Sequence, residues 1–135
     1  MAWTADELYG HDGAFLDSLD ERGEAYVVEI PPHSHVWLSQ PRVRKRPPPH
    51  SRGRPRKYPR LSARDRSPSE VRNLAMHSPV SRSQTPQPYQ IKDTQRGGEV
   101  WEVRWSTCWR KTHTDALVSS QGTLIVARNV LTDET

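Results

Sequence analysis

Residues 25–30 read Ala-Tyr-Val-Val-Glu-Ile, a short and almost continuous apolar run that Pro31 and Pro32 close. Such a run is typical of a strand covered on both faces, as in a parallel sheet. The residues before it predict a helix over 12–22, since Asp12 can cap its first turn and Gly23 suits the position after its last turn. The N-terminal part of the chain therefore predicts an α/β fold.

A further strand should precede this helix and end near Asp6. Residues 1–5 are few for a strand, which has five or six residues on average. We therefore expect the chain to begin in the middle of a fold, with Phe15, Leu16, Leu19, Val27 and Ile30 lacking a sheet to cover them. Protection from hydrogen exchange should then be concentrated in residues 88–131, with little in residues 1–66.

The last third of the chain predicts antiparallel strands. In residues 100–110, Trp101, Val103, Trp105 and Trp109 alternate with polar residues, which is the period of a half-buried strand. Gly97-Gly98 can close a hairpin with residues 89–92, and Gly122 introduces a second strand over 123–131. The shared face of the tryptophans favours core packing; stacking on nucleic-acid bases is the alternative.

A helix is also predicted before these strands. Ser67-Pro68-Ser69-Glu70 has the spacing of a capping box, with proline at the first helical position, and the helix should run through Met76.

Charge is distributed unevenly along the chain, whose formal net charge is +4. Residues 1–40 contain eight acidic residues and one base, whereas residues 41–66 contain eleven bases and one acid. Because the prolines between these bases favour extended backbone, we expect residues 33–66 to be an extended, mobile linker. A basic block of this kind favours contact with nucleic acid, although a solvated linker is the alternative. The bases predicted to bind DNA are Arg42, Arg44, Lys45, Arg46, Arg52, Arg54, Arg56, Lys57 and Arg60.

Residues 51–57, Ser-Arg-Gly-Arg-Pro-Arg-Lys, also match an AT-hook, an extended segment that lies in the minor groove of A·T-rich DNA. The match is short and its composition is biased. It supports an alternative function for the chain, that of a small DNA-binding protein without enzymatic activity.

Asp6 stands where a strand should end and a helix should begin. Ligands and metals bind at this edge of open α/β sheets, and carboxylates suit Mg²⁺ or Mn²⁺. The alternative is that Asp6 only caps the following turn.

The order and spacing of these segments resemble the central part of bacterial insertion-sequence transposases of the DDE superfamily. The segments that carry the resemblance are residues 6–10, 15–23, 26–31, 69–74, 89–93, 100–105 and 124–131. The resemblance implies a partial RNase H-like fold in residues 1–32, then the basic linker 33–66, then a helix and a β-rich insertion in residues 67–135. It also implies that Asp6 is the second of three carboxylates, Asp, Asp and Glu, that bind two Mg²⁺ or Mn²⁺ ions.

No residue of this chain matches the first Asp or the catalytic Glu of the family. We therefore expect a truncated transposase that binds no metal tightly and is inactive alone. The intact parent would cleave and transfer DNA strands, with transposon ends and target DNA as partners, and the missing part could come from another reading frame. With no signal peptide, no membrane span and one cysteine, the chain is expected to be cytoplasmic and nucleoid-associated.

Overall fold

The computed structural model describes residues 1–44, 58–62, 67–94, 97–112 and 117–131. No helix within these ranges has the length and apolar character needed to span a bilayer. In chain order the elements are β1 (Ala2–Ala5), α1 (Glu7–Gly10), α2 (Gly13–Arg22), β2 (Ala25–Val28), β3 (His35–Trp37), β4 (Val43–Arg44), β5 (Arg60–Leu61), β6 (Ser69–Glu70), α3 (Val71–His77), α4 (Pro79–Ser83), β7 (Gln87–Thr94), β8 (Gly97–Lys111) and β9 (Val118–Asn129).

The N-terminal elements form a parallel strand pair connected through helices. Strand β1 pairs with β2 from Ala2 opposite Ala25 to Ala5 opposite Val28, so the strand expected before Asp6 is present. The Asp12 carboxylate accepts hydrogen bonds from the backbone N–H groups of Ala14 and Phe15, at 3.0 and 3.1 Å. Gly23 ends α2 in the left-handed region, with φ of 66°. Both ends of the predicted helix are therefore confirmed.

The burial expected for this unit is only partly observed. Val27 of β2 is 63% exposed, as expected for a strand that lacks its neighbours, although the apolar run alone is typical of a strand covered on both faces. The reason is that β1 is the only strand paired with β2 in the described part of the chain. The same expectation is wrong for α2, because Leu16 and Leu19 were also expected to lack cover and are only 2% and 4% exposed. Helix α2 lies against β9, which helps to supply that cover.

Strand β8 is the centre of a five-stranded sheet. Along one edge it pairs antiparallel with β9, from Trp101 opposite Asn129 to Trp109 opposite Gln121. Along the other edge, β7 pairs with the first part of β8 and β3 pairs with its end, and β6 continues the sheet beyond β3. The predicted hairpin and the predicted antiparallel pair are confirmed. Gly122 lies inside β9, because this strand begins at Val118.

One side chain fills the gap between β7 and β3 along the edge of β8. The Gln84 amide nitrogen donates to the Trp105 carbonyl oxygen at 2.6 Å, and the Trp105 N–H donates to the Gln84 amide oxygen at 3.2 Å. The amide group thus makes both hydrogen bonds that a paired strand residue would make.

Strand β3 lies within the range that was predicted to be a mobile linker. Val36 and Trp37 are 3% and 6% exposed and belong to the core. Val36 is opposite Arg110, and Trp37 is opposite Trp109. The linker prediction is therefore wrong for residues 35–37, whose apolar side chains are buried by pairing with β8.

The capping box predicted at residues 67–70 is also wrong. Ser69 and Glu70 form β6, and α3 starts only at Val71 without a side-chain cap. The first N–H groups of the helix find other acceptors: Val71 donates to the Ser34 carbonyl at 2.9 Å and Arg72 to the Pro32 carbonyl at 3.0 Å. Tertiary backbone contacts replace the local cap.

A buried ionic cluster joins the N-terminal unit to the sheet. The Arg110 guanidinium of β8 contacts Asp17 at 2.6 Å and Asp20 at 2.9 Å, both on α2. The Tyr26 hydroxyl of β2 donates to Asp20 at 2.9 Å. Burial, followed by this hydrogen bond and the negative charge of Asp20, raises the pKa of Tyr26. The cluster therefore connects α2, β2 and β8.

Helix α1 passes directly over the backbone that follows β2. Gly10, its last residue, is buried, and a Cβ atom there would overlap the Glu29 carbonyl oxygen. Because the obstacle is backbone, a side chain at this position would push α1 away from β2.

We predict that Gly10→Ala lowers the free energy of unfolding by about 2 kcal/mol, the usual cost of overpacking. Gly122→Ala is the matched control, since a Cβ there would lie 3.8 Å from Cys108 Sγ, an ordinary contact. Urea unfolding of both variants provides the measurement. Equal unfolding midpoints would show that α1 does not pack against β2 in this way.

Candidate functional site

Asp6 lies at the carboxyl end of the parallel strand pair. Since Ala5 is opposite Val28, both strands end at the same edge, and the Glu29 N–H donates to the Ala5 carbonyl at 3.1 Å. Asp6 and Glu29 therefore occupy equivalent positions just beyond two adjacent strands. No role was predicted for Glu29 from the sequence. The signal that could have found it is that each acid directly follows a strand of one parallel pair.

The Asp6 carboxylate caps helix α1. Its Oδ1 atom accepts a hydrogen bond from the Leu8 N–H at 3.2 Å, and the residue is exposed to solvent. The cap that the sequence allowed is therefore present. Because a carboxylate has two oxygens with several lone pairs, a cap does not prevent it from also binding a cation.

The described residues do not form a complete metal site. No group of three or more His, Cys, Asp or Glu side chains within them is arranged to hold a metal ion. Asp6 with one neighbouring acid is too small a ligand set for two divalent ions, which need several oxygen ligands each.

Of the bases predicted to bind DNA, Arg42, Arg44 and Arg60 are described. They lie on or beside a short two-stranded ladder, called the basic stem below. Strands β4 and β5 pair antiparallel, with Val43 opposite Leu61 and Arg44 opposite Arg60. The Ser62 N–H extends this ladder by donating to the Arg42 carbonyl at 2.9 Å. The other bases predicted to bind DNA, Lys45, Arg46, Arg52, Arg54, Arg56 and Lys57, and the AT-hook match at 51–57 lie outside the described residues.

The electrostatics of this stem favour an anion. Arg44 and Arg60 are both exposed and directly opposite each other. Like charges opposite each other across a strand pair are destabilising. A phosphate group between them would turn this repulsion into two attractive contacts, preferably with the bidentate geometry of guanidinium groups.

The tryptophan face of β8 differs from its prediction. Trp105 is 47% exposed, so core packing is wrong for this residue, whereas Trp101 and Trp109 are half-buried. A shallow apolar depression of about 340 Å³ lies over this face. Its lining residues are Tyr89, Val103, Trp105, Thr123 and Ile125.

The comparison with protein families identifies the chain. A family model described as DDE superfamily endonuclease matches residues 2–98. The chain belongs to this family. No curated protein and no solved structure matches the chain.

The matched range contains both features described above. It includes Asp6 with the parallel pair, and it includes Arg44, Arg60 and the basic residues between them. DDE superfamily endonucleases cleave DNA and generally use divalent metal ions. The match stops at Gly98, before most of β8 and all of β9, although the sequence resemblance was traced to Leu131.

Proposed function

We propose that this chain is part of a DDE transposase, in which Asp6 is the second of the three carboxylates of an RNase H-like active site. The observation that carries the proposal is the position of Asp6, at the carboxyl edge of a parallel strand pair within the matched range. An exposed carboxylate at this edge is suited to a hard divalent cation.

The role of Asp6 is to hold negative charge at a fixed place. The strand β1 ladder sets its backbone, and its hydrogen bond to the Leu8 N–H sets one oxygen. Divalent metals, when bound at such a site, activate a water and stabilise the oxygens of in-line phosphoryl transfer. The first Asp and the Glu are assigned to polypeptide other than residues 1–135, so this chain alone would not cleave DNA.

The basic stem would serve to hold the DNA. Arg44 and Arg60 would contact phosphate groups, which contributes affinity more than sequence preference. The proposal divides the chain into three parts. Residues 1–32 belong to the catalytic core, and the basic segment between β4 and β5 contacts DNA. Residues 67–135 form a β-rich insertion. Strand β3 is assigned to that insertion, because it pairs with β8.

The DNA contact is tested by the salt dependence of binding. Each phosphate-contacting arginine contributes about 0.9 to the slope of log K against log salt. The double variant Arg44→Gln, Arg60→Gln should therefore bind a labelled duplex more weakly, with a slope lower by about two, as measured by fluorescence anisotropy.

The matched control removes the same charge elsewhere. Arg22 and Arg82 are exposed and lie in the last turns of α2 and α4. Arg22→Gln with Arg82→Gln should leave the slope almost unchanged. If both double variants lose the same slope, DNA binding depends on net charge and the stem has no special role.

The metal role of Asp6 is tested with Mn²⁺ and nuclear magnetic resonance. We predict that Mn²⁺ broadens amide signals next to Asp6 and Glu29, and that Asp6→Asn removes this broadening while an asparagine can still cap α1. Asp12 is the control, because it is another exposed aspartate that caps a helix. Persistence of the broadening in Asp6→Asn, or its equal loss in Asp12→Asn, would contradict the assignment of Asp6 as a metal ligand.

A further inference from the structure

Strand β9 is long and has one free edge. It runs from Val118 to Asn129 and pairs with β8 on one side. No other strand of the described residues pairs with it. An exposed strand edge is a template for pairing with another chain, and natural proteins usually protect such edges.

The hydrogen bonds of Trp105 show which groups of β9 point outward. Its N–H and C=O bind the Gln84 amide, on the side of β8 away from β9. The pair Trp105–Ile125 is therefore one of the non-hydrogen-bonded pairs of the antiparallel ladder. Since these pairs alternate with bonded ones, the N–H and C=O groups of Thr123, Ile125 and Ala127 point away from β8. Even-numbered residues should point toward β8 instead. The Val130 N–H does so, because it donates to the Val100 carbonyl.

The free edge of β9 lacks two common forms of protection, proline and charged side chains, over most of its length. No proline and no charged residue occurs from Val118 to Ala127. The free edge of β7 provides the contrast. The same alternation turns Pro88 of that strand outward, and proline has no N–H with which to bind a further strand. The outer edge of β7 is therefore interrupted by a proline, whereas that of β9 is not.

Side chains beside the open edge are apolar and exposed. Ile125 is 58% exposed and pairs with Trp105, which is 47% exposed. A strand added along β9 would extend this row of apolar side chains and cover part of it.

We infer that the partner of this edge is β9 of a second copy of the chain, paired antiparallel about a two-fold axis at Ile125. In this register Ile125 is opposite its own copy, and Thr123 is opposite Ala127. The uncharged segment thus pairs with itself. Arg128, which is the first charged residue of the strand, lies opposite Gly122, so the two arginines do not face each other.

Pairing along β9 about a two-fold axis gives a dimer. A two-fold interface uses the same surface on both partners and closes, and Pro88 interrupts the outer edge of β7. One strand pair buries less than the roughly 800 Å² per partner of a typical stable complex. The dimer should therefore dissociate in the micromolar range.

The test is sedimentation equilibrium of the full chain, without DNA, over a micromolar concentration series. We expect a mass that rises from the 15.5 kDa of one chain to twice that value. Ile125→Lys should keep the protein monomeric, because two positive charges would lie opposite each other at the axis. Tyr89→Lys is the matched control: Tyr89 is also an exposed apolar residue, at 54%, but lies on β7, two strands from the axis. This variant should dimerise like the original chain.

Hydrogen exchange provides a readout that does not depend on the variants. The amides of Thr123, Ile125 and Ala127 should become protected as concentration rises, whereas those of Leu124 and Val126 should be protected throughout. The inference is overturned by fast exchange of Thr123, Ile125 and Ala127 at all concentrations, by a dimer that Tyr89→Lys disrupts and Ile125→Lys leaves intact, or by open-ended polymers.

Discussion

The contact between the Arg110 guanidinium and the carboxylates of Asp17 and Asp20 holds the described structure together. Asp17 and Arg110 have side chains only 6% and 19% exposed, and their atoms are 2.6 Å apart. Burial lowers the pKa of Arg110, but its hydrogen bond to Asp17 and the charges of Asp17, Tyr26 and Asp20 raise it by more. Removing one partner of a buried ion pair typically costs 3–5 kcal/mol, because it leaves an uncompensated charge. The position of the Asp6 edge relative to the sheet depends on this contact, since α2 and β2 carry Asp17, Asp20 and Tyr26.

This arrangement connects the two features that support the functional proposal. Strands β1 and β2 place Asp6 at a sheet edge, and the ionic cluster ties that pair to β8. Strand β3 also pairs with β8, and the chain continues from β3 into the basic stem at Arg44 and Arg60. The edge that is proposed to bind metal is therefore tied to β8 by the ionic cluster. The arginine pair that is proposed to contact phosphate lies on a separate two-stranded sheet, which follows β3 in the chain.

Local signals in the sequence were enough for some elements and insufficient for others. Asp12 and Gly23 predicted the ends of α2 correctly, because caps depend on neighbouring residues. The period of two predicted β8, but it could not show which face is covered, and Trp105 is half exposed. The predicted cap at Ser67–Glu70 failed because Ser69 and Glu70 pair with β3, a contact between residues distant in the sequence. For the same reason the partners of Arg110 could not be foreseen.

A double-mutant cycle on Asp17→Asn and Arg110→Gln, followed by hydrogen exchange in α2 and in β8, tests most directly whether the N-terminal pair and the sheet are one unit. If they are one unit, the coupling energy is above about 1 kcal/mol, as found for residues in one ionic network. Each single variant then reduces protection in both elements together. Additivity within about 0.3 kcal/mol, with α2 losing protection while β8 keeps it, would show that the N-terminal pair and the sheet are separate units.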